Sequence, residues 1–563
     1  MTTVEKEYEH ASGRPTRLGQ SKMRDPLTKS YWPADTSAPI VEWTVREALR
    51  RAAAEAPGTT ALVAGTPNPT ERRRWTYADL LGQAERAARA LLGRFDPGDR
   101  VAIWANNIPE WVVLEYAAAL AGITIVTVNP ALRAGELRHV LGHSRADGVF
   151  LIPEYRGSPM AEILTGVRAD LPNLREAISF SDWNTFLSEA SPTQALPEVS
   201  PDDPAQIQYT SGTTGKPKGA VLRHRSILNN ARFYAERFGM PIGGVQMSPM
   251  PLFHTAGCVL SVLGSLSRRG TLVLAPFFDP GLCLELVEGE GVDSLMGVPT
   301  MLIGLLGYPL FPETNLSRVE RVLSGGATVP PDLVRRVEEK FGAPVSIVFA
   351  QTETSPVITQ TSPEDAPEDR AETLGRPLPQ TEVRIVDPES GETVPPGHIG
   401  EICTRGYHVM AGYFDDPEAT AAAIDRDGWL RTGDLGSMDG RGYCRIEGRL
   451  KDVIIRGGEN VYPREIEQVL FAREDVADVA VVGVHDETWG EQIAAFVRPT
   501  AGHTPSEEEL FAYCRERLAP HKTPRHWVFV EEFPLTASGK VQKFVLRERF
   551  ASEGANQRAG AAR

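Results

Sequence analysis

The sequence has few cysteines, few lysines and no long uninterrupted apolar run. Its cysteines are scattered, without a CxxC pair or the spacing of a metal site, which argues against a disulfide framework and predicts reduced, buried thiols. No apolar run is long enough to cross a bilayer, and residues 1–29 lack the apolar core of a signal peptide. We therefore expect a cytoplasmic protein. The five cysteines are Cys258, Cys283, Cys403, Cys444 and Cys514.

The sequence lacks an excess of positive charge, because 74 acidic residues outnumber 59 basic residues and give a net charge of −15. Nucleic acids are bound through clustered basic residues, so this balance excludes nucleic acid as the main partner. It does not exclude a nucleotide, which needs only a few local donors and cations. The 41% apolar and 24% charged residues are ordinary for a globular chain. A chain of this length exceeds one hydrophobic core and predicts at least two domains.

The few lysines of the sequence are concentrated at particular positions. Only ten of the 59 basic residues are lysines, and five of those ten fall within three short motifs, at Lys216, Lys218, Lys451, Lys540 and Lys543. An arginine-rich chain that retains lysine at these positions suggests that a compact, movable point charge is needed there.

Apolar runs and helical stretches alternate from about residue 75 to about residue 379. This alternation predicts βαβ units around parallel sheets. The predicted strands are 101–104, 123–128, 321–323 and 345–349, and the predicted helices are 109–120 and one opened by Pro330-Pro331.

The pattern changes beyond residue 380 to hairpins, with strands predicted at 383–386 and 399–404, and this predicts a small β-barrel-like subdomain. A second break near Gly448 precedes a compact α+β region with a strand at 452–455, a helix from Pro463 and strands at 479–484 and 493–497. The predicted fold class is α/β. The predicted domains are a polar tail 1–30, a large N-terminal domain 31–448, a mobile C-terminal domain 449–552 and a disordered tail 553–563.

The strongest local motif is residues 209–219, YTSGTTGKPKG. Its glycines free the backbone for tight turns, and its hydroxyl and lysine side chains can bind polyphosphate. It is not a Walker A loop, because Lys216 follows only GTTG and precedes Pro217. A dinucleotide-binding fold is disfavoured as well, because Gly289-Glu290-Gly291 has Ser294 in place of the third glycine.

Five further motifs follow in order: SGGA at 324–327, FAQTE at 349–353, WLRTGD at 429–434, GRLKD at 448–452 and PLTASGKVQK at 534–543. With the 209–219 segment, they resemble the motifs of the adenylate-forming superfamily of acyl-CoA synthetases, peptide-synthetase adenylation domains and beetle luciferases. The resemblance covers residues 75–543. It implies a carboxylic acid substrate, with ATP, Mg²⁺ and coenzyme A as cofactors.

The resemblance also implies roles at the nucleotide. Residues 324–327 lie against adenine, where a backbone poor in side chains lets the flat base approach, and Phe349 stacks on the base. Thr352 contacts the α-phosphate, and Glu353 holds Mg²⁺ between phosphate oxygens. Asp434 accepts hydrogen bonds from both ribose hydroxyls. The implied ATP- and AMP-binding residues are Thr210, Ser211, Gly212, Thr213, Thr214, Gly215, Lys216, Gly325, Gly326, Ala327, Phe349, Ala350, Gln351, Thr352, Asp434, Arg449 and Lys540.

Lys540 matches the adenylation lysine of that superfamily, and Lys451 matches its hinge residue. Rotation about the hinge would bring a second loop, RGGEN at 456–460, toward the pantetheine tunnel of coenzyme A. Its glycines suit a close backbone approach. The implied coenzyme A-side residues are Arg456, Gly457, Gly458 and Glu459.

Residues 251–257, PLFHTAG, resemble the acyl-site motif. It places His254 beside the substrate carboxylate and Cys258 and Val259 in the wall of the pocket. Acetate-specific relatives carry Trp at the position of Ala350, whereas enzymes for longer acids usually carry Gly. A hydrophobic acid larger than acetate is therefore expected. The implied catalytic residues are His254, Thr352, Glu353 and Lys540.

Several alternatives stay open at this stage. The motif sequences most closely resemble those of bacterial medium- and long-chain fatty acyl-CoA synthetases, but an aromatic or polycyclic acid could be bound by the same scaffold. The acyl group could pass to a carrier-protein thiol, or the reaction could stop at the adenylate. A homodimer is also open. A nucleotide-binding scaffold without catalysis would be expected to lack Glu353 or Lys540, and both are present.

Overall fold

A computed structural model describes residues 25–210, 217–534 and 541–561, and side chains as far as residue 552. Four sheets organise these residues, and the fold class is α/β as predicted. Three sheets lie in the region before residue 450 and one lies after it. The sequence motifs fall at strand ends and in the connections between sheets.

The seven-stranded sheet carries both stems of the motif at 209–219. Its five strands from Pro204–Thr210 to Glu176–Ser179 are parallel to one another, and the two strands at the opposite edge pair antiparallel. All five residues of Thr124–Val128 are buried, as expected for a strand covered on both faces. In spatial order the strands are Gly412–Tyr413, Lys218–Arg223, Pro204–Thr210, Thr124–Val128, Arg100–Trp104, Gly148–Leu151 and Glu176–Ser179.

The nine-stranded sheet is parallel through its centre and antiparallel at both edges. It carries the SGGA and FAQTE motifs on two adjacent strands. In spatial order its strands are Arg376–Pro377, Val357–Gln360, Val345–Ala350, Arg321–Gly325, Ser294–Met296, Val245–Ser248, Thr271–Leu274, Thr60–Ala64 and Arg74–Thr76.

One hydrophobic core joins the two large sheets. It includes Leu62 of the nine-stranded sheet and Ile103 of the seven-stranded sheet, with the helices Tyr77–Leu92 and Pro109–Ala121 between them. The second of these helices begins at Pro109 and is closed by Gly122, whose φ is +68°. Proline at the first position and a left-handed glycine after the last are the expected boundaries of a helix.

The third sheet is antiparallel and corresponds to the predicted hairpin region. Its strands are Tyr31–Trp32, Thr381–Val386, Gly400–Gly406, Leu430–Met438 and Cys444–Arg449. The sheet of the C-terminal region has the strands Glu459–Val461, Ile454–Arg456, Gly490–Pro499, Val476–Asp486 and His526–Phe529.

Helices cover the faces of the sheets. In the described region before residue 450 they are Val45–Glu55, Tyr77–Leu92, Pro109–Ala121, Ala134–His143, Met160–Val167, Trp183–Ser188, His224–Arg237, the π-helix Ala256–Leu263, Gly264–Ser267, Pro280–Gly289, Pro299–Leu306, Pro331–Phe341, Pro367–Glu372 and Pro417–Ala423. After residue 450 they are Pro463–Phe471, Glu507–Arg517 and Lys543–Ala561. Among the described helices, none is both long and apolar enough to cross a membrane.

Two local predictions differ from the structure. The strand predicted at 452–455 begins later, at Ile454, because Leu450–Asp452 forms a 3₁₀ turn. The basic run Arg72-Arg73-Arg74 predicts a solvated face, but Arg72 is 9% exposed and binds Glu285 and Glu290, whose carboxylates compensate its burial. The last helix is Lys543–Ala561, and the disordered tail at 553–563 stays a prediction.

Candidate active site

Two adjacent parallel strands bring the SGGA and FAQTE motifs together. Arg321–Gly325 and Val345–Ala350 pair in register, with Gly325 opposite Val348. Because parallel strands place their carboxyl ends at the same edge, residues 326 and 327 and residues 351–354 leave the sheet side by side. Ligands of open α/β sheets bind at this edge.

Gly325 has no room for a side chain. A Cβ atom there would lie 2.6 Å from the Val348 carbonyl oxygen and 2.5 Å from its Cγ2. Gly326 has a φ of +76°, in the left-handed region that favours glycine. The structure thus explains the two glycines by backbone packing, and the same bare surface is available to a flat ligand.

We predict that Gly325→Ala destabilises the protein by about 1–3 kcal/mol, because the new methyl group must displace the neighbouring strand. Gly135→Ala is the matched control, since a Cβ there meets no atom within 4 Å in the helix Ala134–His143. Urea unfolding should show a lower midpoint for the first variant and an unchanged or higher one for the second. Equal midpoints would contradict the close strand contact.

Asp434 is held by two residues of other motifs. Gln351 Nε2 donates to Asp434 Oδ2 at 2.7 Å and to the carbonyl of Thr432 at 2.9 Å. The Arg449 guanidinium nitrogen Nε lies 3.2 Å from Asp434 Oδ1, and Arg449 is also its antiparallel partner in the sheet. These contacts hold the Asp434 carboxylate in place between two other motifs.

Glu353 follows the strand in a 3₁₀ turn, Thr352–Thr354. Its backbone oxygen accepts a hydrogen bond from the Met410 amide at 2.9 Å, and its Oε1 accepts one from the Tyr413 hydroxyl at 2.8 Å. Tyr413 belongs to none of the sequence motifs, because nothing in the segment 410–414 signals a contact with a residue 60 positions earlier.

The single carboxylate of Glu353 is a suitable ligand for Mg²⁺ if substrate phosphates supply most of the other ligands. Among the described residues there is no group of three or more His, Cys, Asp or Glu side chains that could form a protein cage for a metal. Mg²⁺ prefers oxygen ligands and often uses one or two carboxylates together with phosphates. The donor at Glu353 therefore fits this ion.

The stems of the 209–219 segment are fixed from outside by one helix. His139 Nε2 lies 2.9 Å from the Pro217 carbonyl oxygen, and His143 Nδ1 lies 2.8 Å from the Tyr209 hydroxyl. The two histidines are one turn apart on Ala134–His143. Burial, followed by the nearby His139, lowers the pKa of His143. Thr210 pairs with Lys218 across the stems, whereas the predicted phosphate-binding residues 211–216 lie outside the described residues.

His254 caps the segment that leads into the π-helix Ala256–Leu263. Its carbonyl accepts hydrogen bonds from the amides of Gly257 at 2.8 Å and Cys258 at 3.1 Å, and its Nδ1 accepts one from the Ala256 amide at 3.3 Å. Such π-helical insertions are frequent at functional sites. Cys258 and Val259 are fully buried, and Ala350 packs against their cluster, so three of the four predicted acyl-pocket residues share one apolar region.

A buried polar chain lies behind this region. Gln208 Nε2 donates to Cys258 Sγ at 3.2 Å and to Gln206 Oε1 at 2.8 Å, and Gln206 Nε2 donates to Glu115 Oε1 at 2.7 Å. Burial raises the pKa of Glu115 well above its ordinary value. The Cys258 thiol therefore makes hydrogen bonds with Gln208 and Gln206, so the predicted pocket wall is not purely apolar at this residue.

The junction to the C-terminal region follows Arg449. Lys451 is exposed in the turn Leu450–Asp452, and Asp452 pairs with Arg547 at 3.0 Å. Arg464 Nη1 donates to the Ile446 carbonyl of the large region at 2.6 Å. Lys540 lies outside the described residues, so its position relative to the site stays a prediction.

The predicted coenzyme A-side loop is a two-residue hairpin turn. Gly457 and Gly458 have φ values of +60° and +84° between two paired strands, as a type I′ turn requires. Glu459 is exposed at the start of the second strand. Arg456 is not free to contact a ligand, because it is 8% exposed and donates to Gln492 Oε1 and to the His521 carbonyl.

Comparison with known proteins finds matches over most of the chain. Residues 49–414 match the family model of the AMP-binding enzymes, and residues 465–540 match the model of the AMP-binding enzyme C-terminal domain. YngI of Bacillus subtilis (strain 168), named as an acyl-CoA synthetase, is 40% identical over 91% of this chain and 98% of its own length. Medium-chain acyl-CoA ligase ACSF2 of Rattus norvegicus, named as mitochondrial, is 38% identical over 92% of this chain and 89% of its own length.

Among solved structures, ATP-bound MatB from Rhodopseudomonas palustris superposes with a TM-score of 0.81 at 32% identity. The match covers 90% of this chain and 99% of MatB. The agreement extends through both the large N-terminal region and the smaller C-terminal region.

Proposed function

Because the chain belongs to the AMP-binding enzyme family and is an enzyme of its acyl-CoA synthetase and ligase group, we propose that it joins a hydrophobic carboxylic acid to coenzyme A in two steps. The acid first reacts with ATP to give acyl-AMP and pyrophosphate. The thiol of coenzyme A then displaces AMP and forms the thioester. The observation that carries this proposal is the convergence of Gln351, Glu353, Asp434 and Arg449 beside the stems of the 209–219 segment.

Each half-reaction is balanced without a redox step. A carboxylate oxygen of the acid attacks the α-phosphorus, and the bond to pyrophosphate breaks. The thiolate sulfur later attacks the acyl carbon, and AMP leaves with the oxygen that came from the acid. The protein has to align the reactants and neutralise the growing negative charge.

We assign the charges as follows. Asp434, oriented by Gln351 and Arg449, binds the ribose, and Thr352 contacts the α-phosphate. Glu353 holds Mg²⁺, which supplies positive charge at the phosphate oxygens when it is bound. Lys540 acts on the carboxylate and the α-phosphate, and Lys216 acts on the departing pyrophosphate.

We assign the two half-reactions to two orientations of the C-terminal domain, 449–552, relative to the large domain, 31–448. If Lys540 stayed beside the reacting carboxylate, it would block the path by which the thiol of coenzyme A must later enter. The exposed turn at Lys451 is a suitable hinge, because the 3₁₀ turn connects the sheets of the two regions. The turn formed by Gly457 and Gly458 would then approach the pantetheine arm of coenzyme A. We propose that the enzyme is cytoplasmic.

The acid is proposed to be a medium- or long-chain fatty acid or a bulky aromatic acid. The supporting observations are the small side chain of Ala350 and the apolar cluster that it packs against. The name of the rat relative, a medium-chain acyl-CoA ligase, is consistent with this class.

We predict that Ala350→Trp shifts the preferred substrate toward acetate, because the indole fills the space that the longer chain needs. Ala350→Gly should retain or extend the range of long acids. Each methylene excluded from an apolar pocket changes kcat/KM by about 10-fold or more. Pyrophosphate release from acetate, butyrate, octanoate, dodecanoate and benzoate measures both profiles. If Ala350→Trp left the relative rates with the five acids unchanged, Ala350 would not line the acyl pocket.

The proposed function is tested by supplying the same acids with ATP first and adding coenzyme A afterwards. We expect acyl-AMP, trapped by hydroxylamine, before the addition and a thioester with AMP after it. An adenylate that reacts only with a carrier-protein thiol would support the alternative acceptor. Release of ADP and phosphate would contradict adenylation itself.

A further inference from the structure

Tyr413 contacts two of the charged residues around the candidate site. Its hydroxyl donates to Glu353 Oε1 at 2.8 Å, and the Lys218 ammonium lies 5.1 Å from the centre of its ring. A lysine at this distance from an aromatic ring is attracted to the π-face. One side chain therefore touches both the carboxylate that suits Mg²⁺ and the first residue of the outgoing stem.

The backbone gives Tyr413 a fixed position. The strand Gly412–Tyr413 pairs with Lys218–Arg223, with Tyr413 opposite Ala220. The Tyr413 amide also donates to the Thr420 hydroxyl at 2.9 Å. Three residues earlier, the Met410 amide donates to the Glu353 carbonyl, so this segment fixes Glu353 at both its backbone and its side chain.

We propose that Tyr413 is a positioning residue for the metal-nucleotide complex, because its hydroxyl occupies one oxygen of Glu353 and presents the other oxygen to Mg²⁺. This inference rests on the proposed function, in which Glu353 is a metal ligand. A carboxylate that binds a metal is itself commonly oriented by a hydrogen bond from a neighbouring group. Without that bond, Glu353 would sample several rotamers before the metal could bind.

The hydroxyl is the donor and the carboxylate is the acceptor of this hydrogen bond. The cation–π contact with Lys218 adds a second restraint on the same ring.

Tyr413→Phe removes the hydroxyl and keeps the ring that Lys218 contacts. We expect the dissociation constant for Mn²⁺, in the complex with a non-hydrolysable ATP analogue, to rise about 10- to 100-fold. Electron paramagnetic resonance of free Mn²⁺ measures this constant without turnover. Metal-free AMP binding, measured by calorimetry, should change less than about twofold, because Asp434 and its partners are untouched.

Two further variants separate the possible failures. Tyr443→Phe is the matched control, since the Tyr443 hydroxyl donates to Asp365 Oδ1 at 2.7 Å and takes no part in the candidate site. It should leave Mn²⁺ affinity unchanged. Glu353→Gln should weaken Mn²⁺ binding at least as much as Tyr413→Phe does.

The outcomes are distinguishable. If Glu353→Gln weakens Mn²⁺ binding and Tyr413→Phe does not, Tyr413 has no positioning role and the inference is overturned. If neither variant changes Mn²⁺ affinity, Glu353 is not the metal ligand and that part of the proposed function fails. Weakening by both variants, with normal thermal unfolding and normal AMP binding, supports the inference.

Discussion

Replacing Lys540 by alanine is expected to lower the rate of acyl-adenylate formation by about 10²–10³, because one positive charge at the reacting carboxylate and α-phosphate is lost. Thioester formation from acyl-AMP supplied in advance should stay close to the wild-type rate, since that step does not need this lysine. Rapid-quench measurement of each half-reaction separates the two effects. The prediction rests on the motif at 534–543.

Lys543→Ala is the matched control for charge. Lys543 lies three residues further along and pairs with Glu467 at 2.6 Å within the C-terminal region. Losing such a pair costs about 1 kcal/mol or less in stability, and adenylation should be nearly normal. An equal loss of both half-reactions in Lys540→Ala would contradict its assignment as the adenylation lysine.

A proline at position 451 is expected to lower overall turnover by about 10² or more while one half-reaction survives, because misplaced reactants lose at least this factor. Proline holds φ near −65°, which a 3₁₀ turn accepts but which resists rotation to a second conformation. The expected pattern is near-normal single-turnover rates for one step and a large loss in the other.

Lys451→Ala separates charge from backbone freedom, since it removes the ammonium and leaves φ unrestricted. It should retain both half-reactions to within about 10-fold of the wild-type rates, as expected for an exposed lysine without a catalytic role. If Lys451→Pro had normal overall turnover, rotation would not occur at this residue. Rotation there must also break the hydrogen bond from Arg464 to the Ile446 carbonyl. A hydrogen bond from a charged donor is worth about 1.5–3 kcal/mol, so a second orientation must supply the Arg464 guanidinium with another acceptor or with water.

The regular elements of the large region could be predicted because their signals are local. The helix predicted at 109–120 is Pro109–Ala121, and the strand predicted at 101–104 is Arg100–Trp104. Proline and glycine mark the helix ends, and buried apolar runs mark the strands. The start of the strand near Asp452 was wrong, because the 3₁₀ turn that precedes it has no apolar periodicity of its own.

The SGGA and FAQTE motifs lie at the ends of adjacent strands, but the motifs alone could not give the contacts between side chains. Gln351 and Asp434 are 83 residues apart, and Glu115 and Gln206 are 91 apart. Such pairs form only when helices and sheets that are distant in the sequence pack against each other. The burial of Arg456 could not be foreseen either, because its partner Gln492 comes from another strand.

The central claim is that the carboxyl group of the acid is activated by direct attack on the α-phosphate of ATP. The most direct test uses an acid labelled with ¹⁸O in both carboxyl oxygens, together with ATP and coenzyme A. We predict that one ¹⁸O atom appears in AMP and none in pyrophosphate, because AMP leaves with an oxygen from the acid. Label in inorganic phosphate, or its absence from AMP, would contradict the account.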